Sequence, residues 1–248
     1  DLTDAGAAAR LLRERAPDAV IHLAAASQPN YCQEHEGQTR GVNVDAAVRL
    51  ASACRELAIP FVFTSTDLVF DGCNPPYTES DPPSPVSVYG RQKADAERGI
   101  RDAHDTATIC RMPLMFGRSD PHSRNFLRAW IERIRSGQVV DAFTDEYRTP
   151  VSGPIAARGL LKSLNAPGEL LHMGGGERVS RYAMGKLLAR LLGCSDTLVR
   201  PVRQRDVPMA APRPGDVSLD SRKAREMLGY ATPAVEEMLA DEVRESRE

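Results

Sequence analysis

The stretch Phe61-Val62-Phe63-Thr64-Ser65-Thr66-Asp67 decides the fold. Residues 61–64 form an apolar run with the length of a buried strand, and hydroxyl and carboxylate side chains follow it. Similar runs lie before it, at 19–23, and after it, at 106–111, with helical patterns between them. Because strands alternate with helices, this half of the sequence predicts βαβ units and a parallel sheet.

The patterns on either side of this stretch predict an α/β chain with two lobes. Helices are expected at 5–15, around 44–57 and at 87–101, and the order becomes less regular beyond Gly117. We expect residues 1–117 to form the first domain and 118–248 mainly a smaller α/β lobe, with parts around 139–164 returning to the core. In the second half, helices are predicted at 125–135, 154–164, 180–192, 221–228 and 235–243, and strands at 139–143 and 169–173.

Composition narrows the class of protein. The 248 residues contain 32 Lys and Arg against 34 Asp and Glu, so the formal net charge of -2 does not suggest a nucleic-acid or anionic-membrane partner. Five widely spaced cysteines without a C-x-x-C pair favour a reduced, cytoplasmic protein. The sequence contains no apolar run of about 18 residues and no signal-peptide pattern, so no membrane span is expected.

Several common site patterns are absent from the sequence. There is no G-x-G-x-x-G, no G-x-x-x-x-G-K-[ST] and no G-x-S-x-G, and the five histidines form no H-x-x-x-H pair. These absences weaken serine-hydrolase and metal hypotheses, and no metal site is predicted.

The segment Tyr89-Gly90-Arg91-Gln92-Lys93 carries the strongest chemical signal. On a helix, Tyr89 and Lys93 lie four residues apart and share one face. A nearby ammonium lowers the high pKa of a phenol, which suits the phenol to general acid or base catalysis, and the hydroxyl of Thr66 can hold a carbonyl beside it. A Y-x-x-x-K spacing also occurs by chance on exposed helices, so its interpretation depends on the rest of the chain.

Segments along nearly the whole chain resemble the extended short-chain dehydrogenase/reductase family, and most closely its dTDP-4-dehydrorhamnose reductase-like branch. The segment from Ser65 to Gly72 is similar to S-T-D-Y-V-F-D-G, with Leu68 in place of tyrosine. Further matches are Asp1-Leu2-Thr3-Asp4, His22-Leu23-Ala24-Ala25, Asn43, Tyr89-Gly90 with Lys93 and Glu97, Arg111 through Gly117, Asn125-Phe126, Arg148-Thr149-Pro150, and Leu219-Asp220-Ser221 with Lys223.

The resemblance implies a Rossmann-like, doubly wound parallel sheet with a smaller C-terminal substrate lobe. It also implies that the family's first strand, glycine-rich turn, helix and second strand are missing ahead of Asp1, as in an N-terminally truncated chain. The implied cofactor is NADP or NAD. The implied catalytic residues are Thr66, Tyr89, Lys93 and Asn43; the implied cofactor contacts are Asp1, Leu2, Leu23, Ala24, Ala25, Tyr89, Lys93 and Arg111; and the implied substrate contacts are Thr66, Asp67, Asn125 and Arg148.

The leading hypothesis is reduction of a 4-keto sugar nucleotide, with Tyr89 as proton donor. Two alternatives stay open: an epimerase or dehydratase of the same fold, and a non-catalytic subunit that resembles the methionine adenosyltransferase beta subunit. A homodimer is compatible with the resemblance. Three of the site residues also have plain structural interpretations, since Asp67 suits a turn, Arg148 a solvated surface and Asn125 a helix cap.

Overall fold

The computed structural model describes residues 1–4, 6–117 and 126–246. Its helices are α1 Ala7–Arg15, α2 Pro29–Glu34, α3 Glu36–Arg40, α4 Ala46–Glu56, α5 Val88–Ala103, α6 Phe126–Arg135, α7 Gly153–Ser163, α8 Arg181–Leu191, α9 Arg222–Leu228 and α10 Val235–Glu245. Its strands are β1 Val20–His22, β2 Phe61–Thr66, β3 Thr108–Met112, β4 Met115–Phe116, β5 Val140–Phe143, β6 Tyr147–Arg148, β7 Val151–Ser152, β8 Leu170–His172, β9 Val179–Ser180 and β10 Val199–Val202.

The main sheet is parallel, in the order β1-β2-β3-β8. Alternation of side chains along β2 divides the core in two, because successive strand residues point to opposite faces. Phe61 and Phe63 belong to the cluster formed with α4 and α5, whereas Val62 belongs to the cluster on the other face, formed with α7 and the second half of the chain. The α/β class and the parallel sheet predicted from the sequence are confirmed.

The second half of the chain adds short paired strands and contributes to the main sheet. β5 pairs with β10 in parallel, β4 pairs with β7, and β6 pairs with β9. The strand predicted at 169–173 within the smaller lobe is β8, and the structure places it beside β3 in the main sheet. Its short apolar run gives no information on its partner, since sheet pairing depends on contacts distant in sequence.

The predicted elements agree with the structure to within a few residues, but the sequence analysis did not predict the helices α2 and α3 or the short strands β4, β6, β7, β9 and β10. Between β1 and α4 the chain forms α2, α3 and a π-helical turn, Gly41–Asp45, that continues into α4. A π-helical turn adds a residue to the helix and shifts the face on which later side chains lie. Within the described residues, none of the helices combines the length and the apolar character that a membrane crossing requires.

Candidate active site

The carboxyl end of β2 supplies a hydroxyl and a carboxylate to the site. Thr66 and Asp67 are 8% and 4% exposed. The Thr66 hydroxyl oxygen accepts a hydrogen bond from the Leu68 amide at 3.2 Å, and the hydroxyl donates to Asp67 Oδ1 at 3.2 Å. Thr66 therefore caps the short helical turn that follows the strand and stands at the sheet edge where ligands collect in open α/β folds.

The start of α5 is packed tightly against this turn. The Ser87 hydroxyl caps the helix by accepting a hydrogen bond from the Gly90 amide at 3.2 Å. A Cβ at Gly90 would overlap the carbonyl oxygen of Leu68 and lie 2.9 Å from the Cβ of Pro85. Only glycine permits this close approach, which brings Tyr89 to the end of β2.

Tyr89 and Lys93 lie on the buried face of α5, 8% and 2% exposed. Burial raises the pKa of Tyr89, as does the negative charge of Asp67, while the Thr66 hydroxyl acts in the opposite direction. The sequence analysis expected a lowered phenol pKa, and this expectation is wrong because burial dominates. Burial lowers the pKa of Lys93 to about 7, and the charge of Glu97 opposes that change. At neutral pH the phenol therefore carries a proton that it can donate, beside an ammonium that can readily lose its charge.

Arg148 lies beside Asp67, although 81 positions separate them in the sequence. Arg148 Nη1 is 3.6 Å from Asp67 Oδ2, and its Nη2 is 3.5 Å from Glu146 Oε1. Burial raises the pKa of Asp67, and the Arg148 charge acts against this. Asp67 Oδ2 and Arg148 Nη1 are buried without a hydrogen-bond partner in the described part of the chain, so both can bind a polar ligand.

Two further arginines join this group. The sequence analysis did not single out Arg181, whereas Arg213 belongs to the arginine-rich stretch 200–213, which suits either contact with a nucleotide diphosphate or a solvated surface. Arg181, the first residue of α8, stacks over Phe126 at 3.6 Å and over Trp130 at 4.8 Å. Burial lowers the pKa of Arg181 to about 10, and burial also lowers that of Arg213. Arg181 Nη1 and Arg213 Nε are buried without hydrogen-bond partners among the described residues. No motif in the sequence marks Arg181 as a site residue.

The loop after β1 is held by the π-helical turn. Asn43 is buried, and its amide oxygen accepts from the Ala26 amide at 2.8 Å while its Nδ2 donates to the Ala26 carbonyl at 3.1 Å and to Gln92 Oε1 at 2.8 Å. Asn43 thus links the loop after β1 to α5, and its catalytic role stays a prediction. Leu23 is 63% exposed and Ala24 is exposed, while Ala25 is half-buried, at the carboxyl end of β1.

The remaining predicted site residues are not all gathered at this edge. Arg111 is 2% exposed and pairs with Glu97, with Nη2 2.8 Å from Oε2, so its described partner is structural and cofactor contact stays a prediction. Asp1 is exposed and accepts hydrogen bonds from Thr3, and the Leu2 carbonyl lies 3.5 Å from Arg49 Nη2. Asn125 lies outside the described residues.

The arrangement combines a protonated phenol, a lysine and a hydroxyl at one end of a parallel sheet. Tyr89 and Lys93 come from α5, Thr66 from β2, and the group of Asp67, Arg148, Arg181 and Arg213 adds binding capacity for an anion. This set suits proton transfer to a developing alkoxide on a charged substrate. Within ranges 1–4, 6–117 and 126–246, no group of three His, Cys, Asp or Glu side chains could hold a metal ion.

Comparison with known proteins finds similar sequences. The sequence model of a family described as the RmlD substrate binding domain matches residues 1–248. A Haloferax volcanii protein named "Probable low-salt glycan biosynthesis reductase Agl14" is 31% identical over 97% of this chain and 81% of its own length. The methionine adenosyltransferase 2 subunit beta of Rattus norvegicus is 26% identical over 94% of this chain and 72% of its own length.

Solved structures have the same fold. A dTDP-4-dehydrorhamnose reductase from Clostridium acetobutylicum matches with a TM-score of 0.92 and 26% identity, covering 100% of this chain and 88% of that chain. A dTDP-glucose 4,6-dehydratase from Streptomyces venezuelae, solved with NAD and TYD bound, matches with a TM-score of 0.84 and 26% identity, covering 100% of this chain and 78% of that chain.

Proposed function

The chain belongs to the RmlD substrate binding domain family, and from that premise we propose that it reduces a 4-keto sugar nucleotide, with NADPH or NADH as hydride source. The family resemblance found in the sequence is thereby confirmed. The observation that carries the proposal is the buried pair Tyr89 and Lys93, one helical turn apart on α5, next to Thr66 at the carboxyl end of β2. The names of the similar reductase structure and of the Haloferax volcanii relative support the reaction class.

In this mechanism the protein supplies orientation and a proton, and the cofactor supplies the hydride. The Thr66 hydroxyl, whose bond to Asp67 is long at 3.2 Å, donates to the keto oxygen and orients it. As negative charge develops on that oxygen, the Tyr89 phenol gives it a proton. The Lys93 ammonium favours the phenolate that forms, because an opposite charge nearby lowers the pKa of a phenol.

A nicotinamide cofactor fits the residues at this edge of the sheet. The dehydratase from Streptomyces venezuelae was solved with NAD, and its fold matches the whole of this chain. Leu23 and Ala24 are exposed at the end of β1, where a parallel sheet binds its ligands. Among the described residues, Lys93 Nζ contacts the Phe63 ring rather than a hydrogen-bond acceptor, so its N–H donors can bind the ribose hydroxyls.

The arginines support a nucleoside diphosphate as the substrate's recognition group. Arg148, Arg181 and Arg213 all have a buried nitrogen without a hydrogen-bond partner in the described ranges. Guanidinium groups bind phosphate oxygens with paired, charge-assisted hydrogen bonds. We propose that residues 1–117 bind the cofactor and contain Tyr89 and Lys93. Residues 118–248 would supply the three arginines that bind the substrate.

Tyr89→Phe is the direct test. It removes only the phenolic hydroxyl, and we expect turnover of a dTDP-4-keto-6-deoxyhexose to fall about 10²–10⁴-fold, the usual contribution of a positioned acid, with cofactor affinity unchanged. Turnover is followed as loss of NADPH or NADH, and affinity by titration calorimetry. Tyr31→Phe, in which an exposed tyrosine of α2 loses its hydroxyl, is the matched control. Near-normal turnover in Tyr89→Phe would contradict the proposal.

An epimerase or dehydratase of the same fold is the alternative within enzymes. These enzymes use a similar Tyr and Lys but regenerate their cofactor, and the similar dehydratase structure shows that the fold supports such chemistry. Stoichiometric consumption of NADPH or NADH per product favours reduction. Product formation without net consumption would assign the chain to the epimerase or dehydratase class.

A non-catalytic subunit is the alternative from another class. It is favoured by the 26% identity to the methionine adenosyltransferase 2 subunit beta over 94% of this chain. The presence of Thr66, Tyr89 and Lys93 together favours catalysis, because a binding partner does not require a buried lysine. Purification with a stoichiometric enzyme partner, together with absence of turnover, would reverse this order.

A further inference from the structure

The Lys93 ammonium is buried against an aromatic ring. Lys93 Nζ lies 3.9 Å from the centre of the Phe63 ring, and both residues are almost completely buried. Phe63 lies on β2 opposite His22 of β1, whose ring stacks on it at 6.0 Å. An ammonium over the face of an aromatic ring is attracted by the ring quadrupole, and the attraction is largest where water is excluded.

Glu97 lies one helical turn beyond Lys93 and is 6% exposed. Arg111 donates to it through Nη2 at 2.8 Å and Nε at 3.1 Å, and the Ser65 hydroxyl also donates to Glu97 Oε1. These bonds hold the Glu97 carboxylate in place one helical turn from Lys93, inside the protein and in an ion pair with Arg111. Tyr89, Lys93 and Glu97 follow each other at four-residue intervals on one face of α5.

We propose that Phe63 and Glu97 are positioning residues that keep the Lys93 side chain charged and fixed one turn from Tyr89. Phe63 contacts the ammonium from the strand, and Glu97 supplies the opposite charge from the next helical turn. Arg111 and Ser65 act through Glu97. The consequence for turnover rests on the reductase function proposed above, whereas the charge of Lys93 is measurable without substrate or cofactor.

The other ionisable groups around Lys93 do not replace Glu97. Burial lowers the pKa of His22 to about 4, so this ring is neutral at pH 7 and cannot balance the ammonium. Burial raises the pKa of Cys54 to about 11 and also raises that of Cys32, so both thiols are neutral. The buried ionisable groups on the elements packed around Lys93 include His22 on β1, Cys32 on α2, Cys54 on α4, Asp67 after β2, Arg111 on β3, and Tyr89 and Glu97 on α5.

The chain offers a direct measurement, because it has only four lysines: Lys93, Lys162, Lys186 and Lys223. In protein labelled with ¹³C at the lysine ε-carbons, an NMR titration follows each ammonium separately, and Lys93→Met assigns its signal. The variants are Phe63→Leu, Glu97→Gln and Glu97→Asp. Phe61→Leu is the matched control, since Phe61 is a buried phenylalanine of β2 in the same cluster.

We expect Lys93 to titrate near pH 7 in the wild type, well below the other three lysines. Phe63→Leu and Glu97→Gln should each lower the pKa of Lys93 by about one unit, a tenfold change in the ratio of charged to neutral lysine. In Glu97→Asp, which keeps the carboxylate, and in Phe61→Leu, the pKa of Lys93 should remain close to its wild-type value. Circular dichroism verifies folding, and if one of the two test variants does not fold, the other decides the outcome.

The proposal would be overturned by a Lys93 titration that stays at its wild-type pH in both Phe63→Leu and Glu97→Gln. A purely structural role for these residues would change unfolding without moving the titration. Reductase turnover then separates the two proposals. If the titrations shift as expected and turnover is absent, the proposed function fails while the roles of Phe63 and Glu97 stand. If turnover is present, its decline at high pH should move to lower pH in both variants.

Discussion

Replacing Lys93 by methionine should stabilise the folded chain while abolishing the proposed reductase turnover. Lysine burial disfavours the charged ammonium, and Lys93 is 2% exposed on the inner face of α5. Methionine has a similar length and an apolar end, so it fills the same space without a charge. Gain of stability on removing a functional group is typical of sites built for chemistry rather than for packing.

The size and the pH dependence of the effect follow from the pKa of Lys93. Its pKa falls from 10.5 to about 7 on burial. Each pKa unit corresponds to about 1.4 kcal/mol, so the cost of burying this cation approaches about 5 kcal/mol below pH 7. Between pH 7 and 10.5 the unfolded chain still binds the proton that the folded chain has released, so the wild type gains stability as pH rises. The difference in free energy of unfolding between Lys93→Met and the wild type therefore decreases by about 1.4 kcal/mol per pH unit above pH 7.

Urea unfolding, followed by circular dichroism at several pH values from about 6 to about 9, measures this difference. We expect the largest gain for Lys93→Met at the lowest of these pH values and a steady decrease above pH 7. Lys162→Met, which removes an exposed lysine of α7, controls for loss of a lysine elsewhere. If Lys93→Met is more stable than the wild type by the same amount at every pH, or less stable at every pH, the argument from lysine burial is wrong.

Two further substitutions test the packing around the site. Gly90→Ala inserts a Cβ that overlaps the carbonyl oxygen of Leu68, and we expect thermal or urea unfolding to show a loss of about 1–3 kcal/mol. Gly37→Ala, where nothing lies within 4 Å of the added Cβ, is the matched control, and equal losses in the two variants would contradict this explanation. His22→Phe removes a buried ring whose pKa falls to about 4, while the unfolded histidine binds a proton near pH 6.5. As pH falls from about 6.5 to about 4, the free energy of unfolding of the wild type should fall by up to about 1.4 kcal/mol per pH unit more than that of His22→Phe. An equal fall in both proteins, measured by urea unfolding, would contradict this explanation.

Local sequence patterns were sufficient for most of the fold. The alternation of Phe61, Val62 and Phe63 identifies a strand buried on both faces, and the structure places these side chains in two different cores. The four-residue spacing of Tyr89 and Lys93 placed both on one helix face, and the structure buries both. Such predictions succeed because strand and helix periodicity depend only on neighbouring residues.

The tertiary structure alone decided which distant groups meet. It brought Arg148 within 3.6 Å of Asp67, paired Arg111 with Glu97 and placed β8 beside β3. The residues next to Arg148 in the sequence do not distinguish a buried arginine from a solvated one. No sequence motif includes Arg181. The local pattern determines which face of an element is apolar, whereas the burial of a charge depends on a partner that only the packing of remote segments provides.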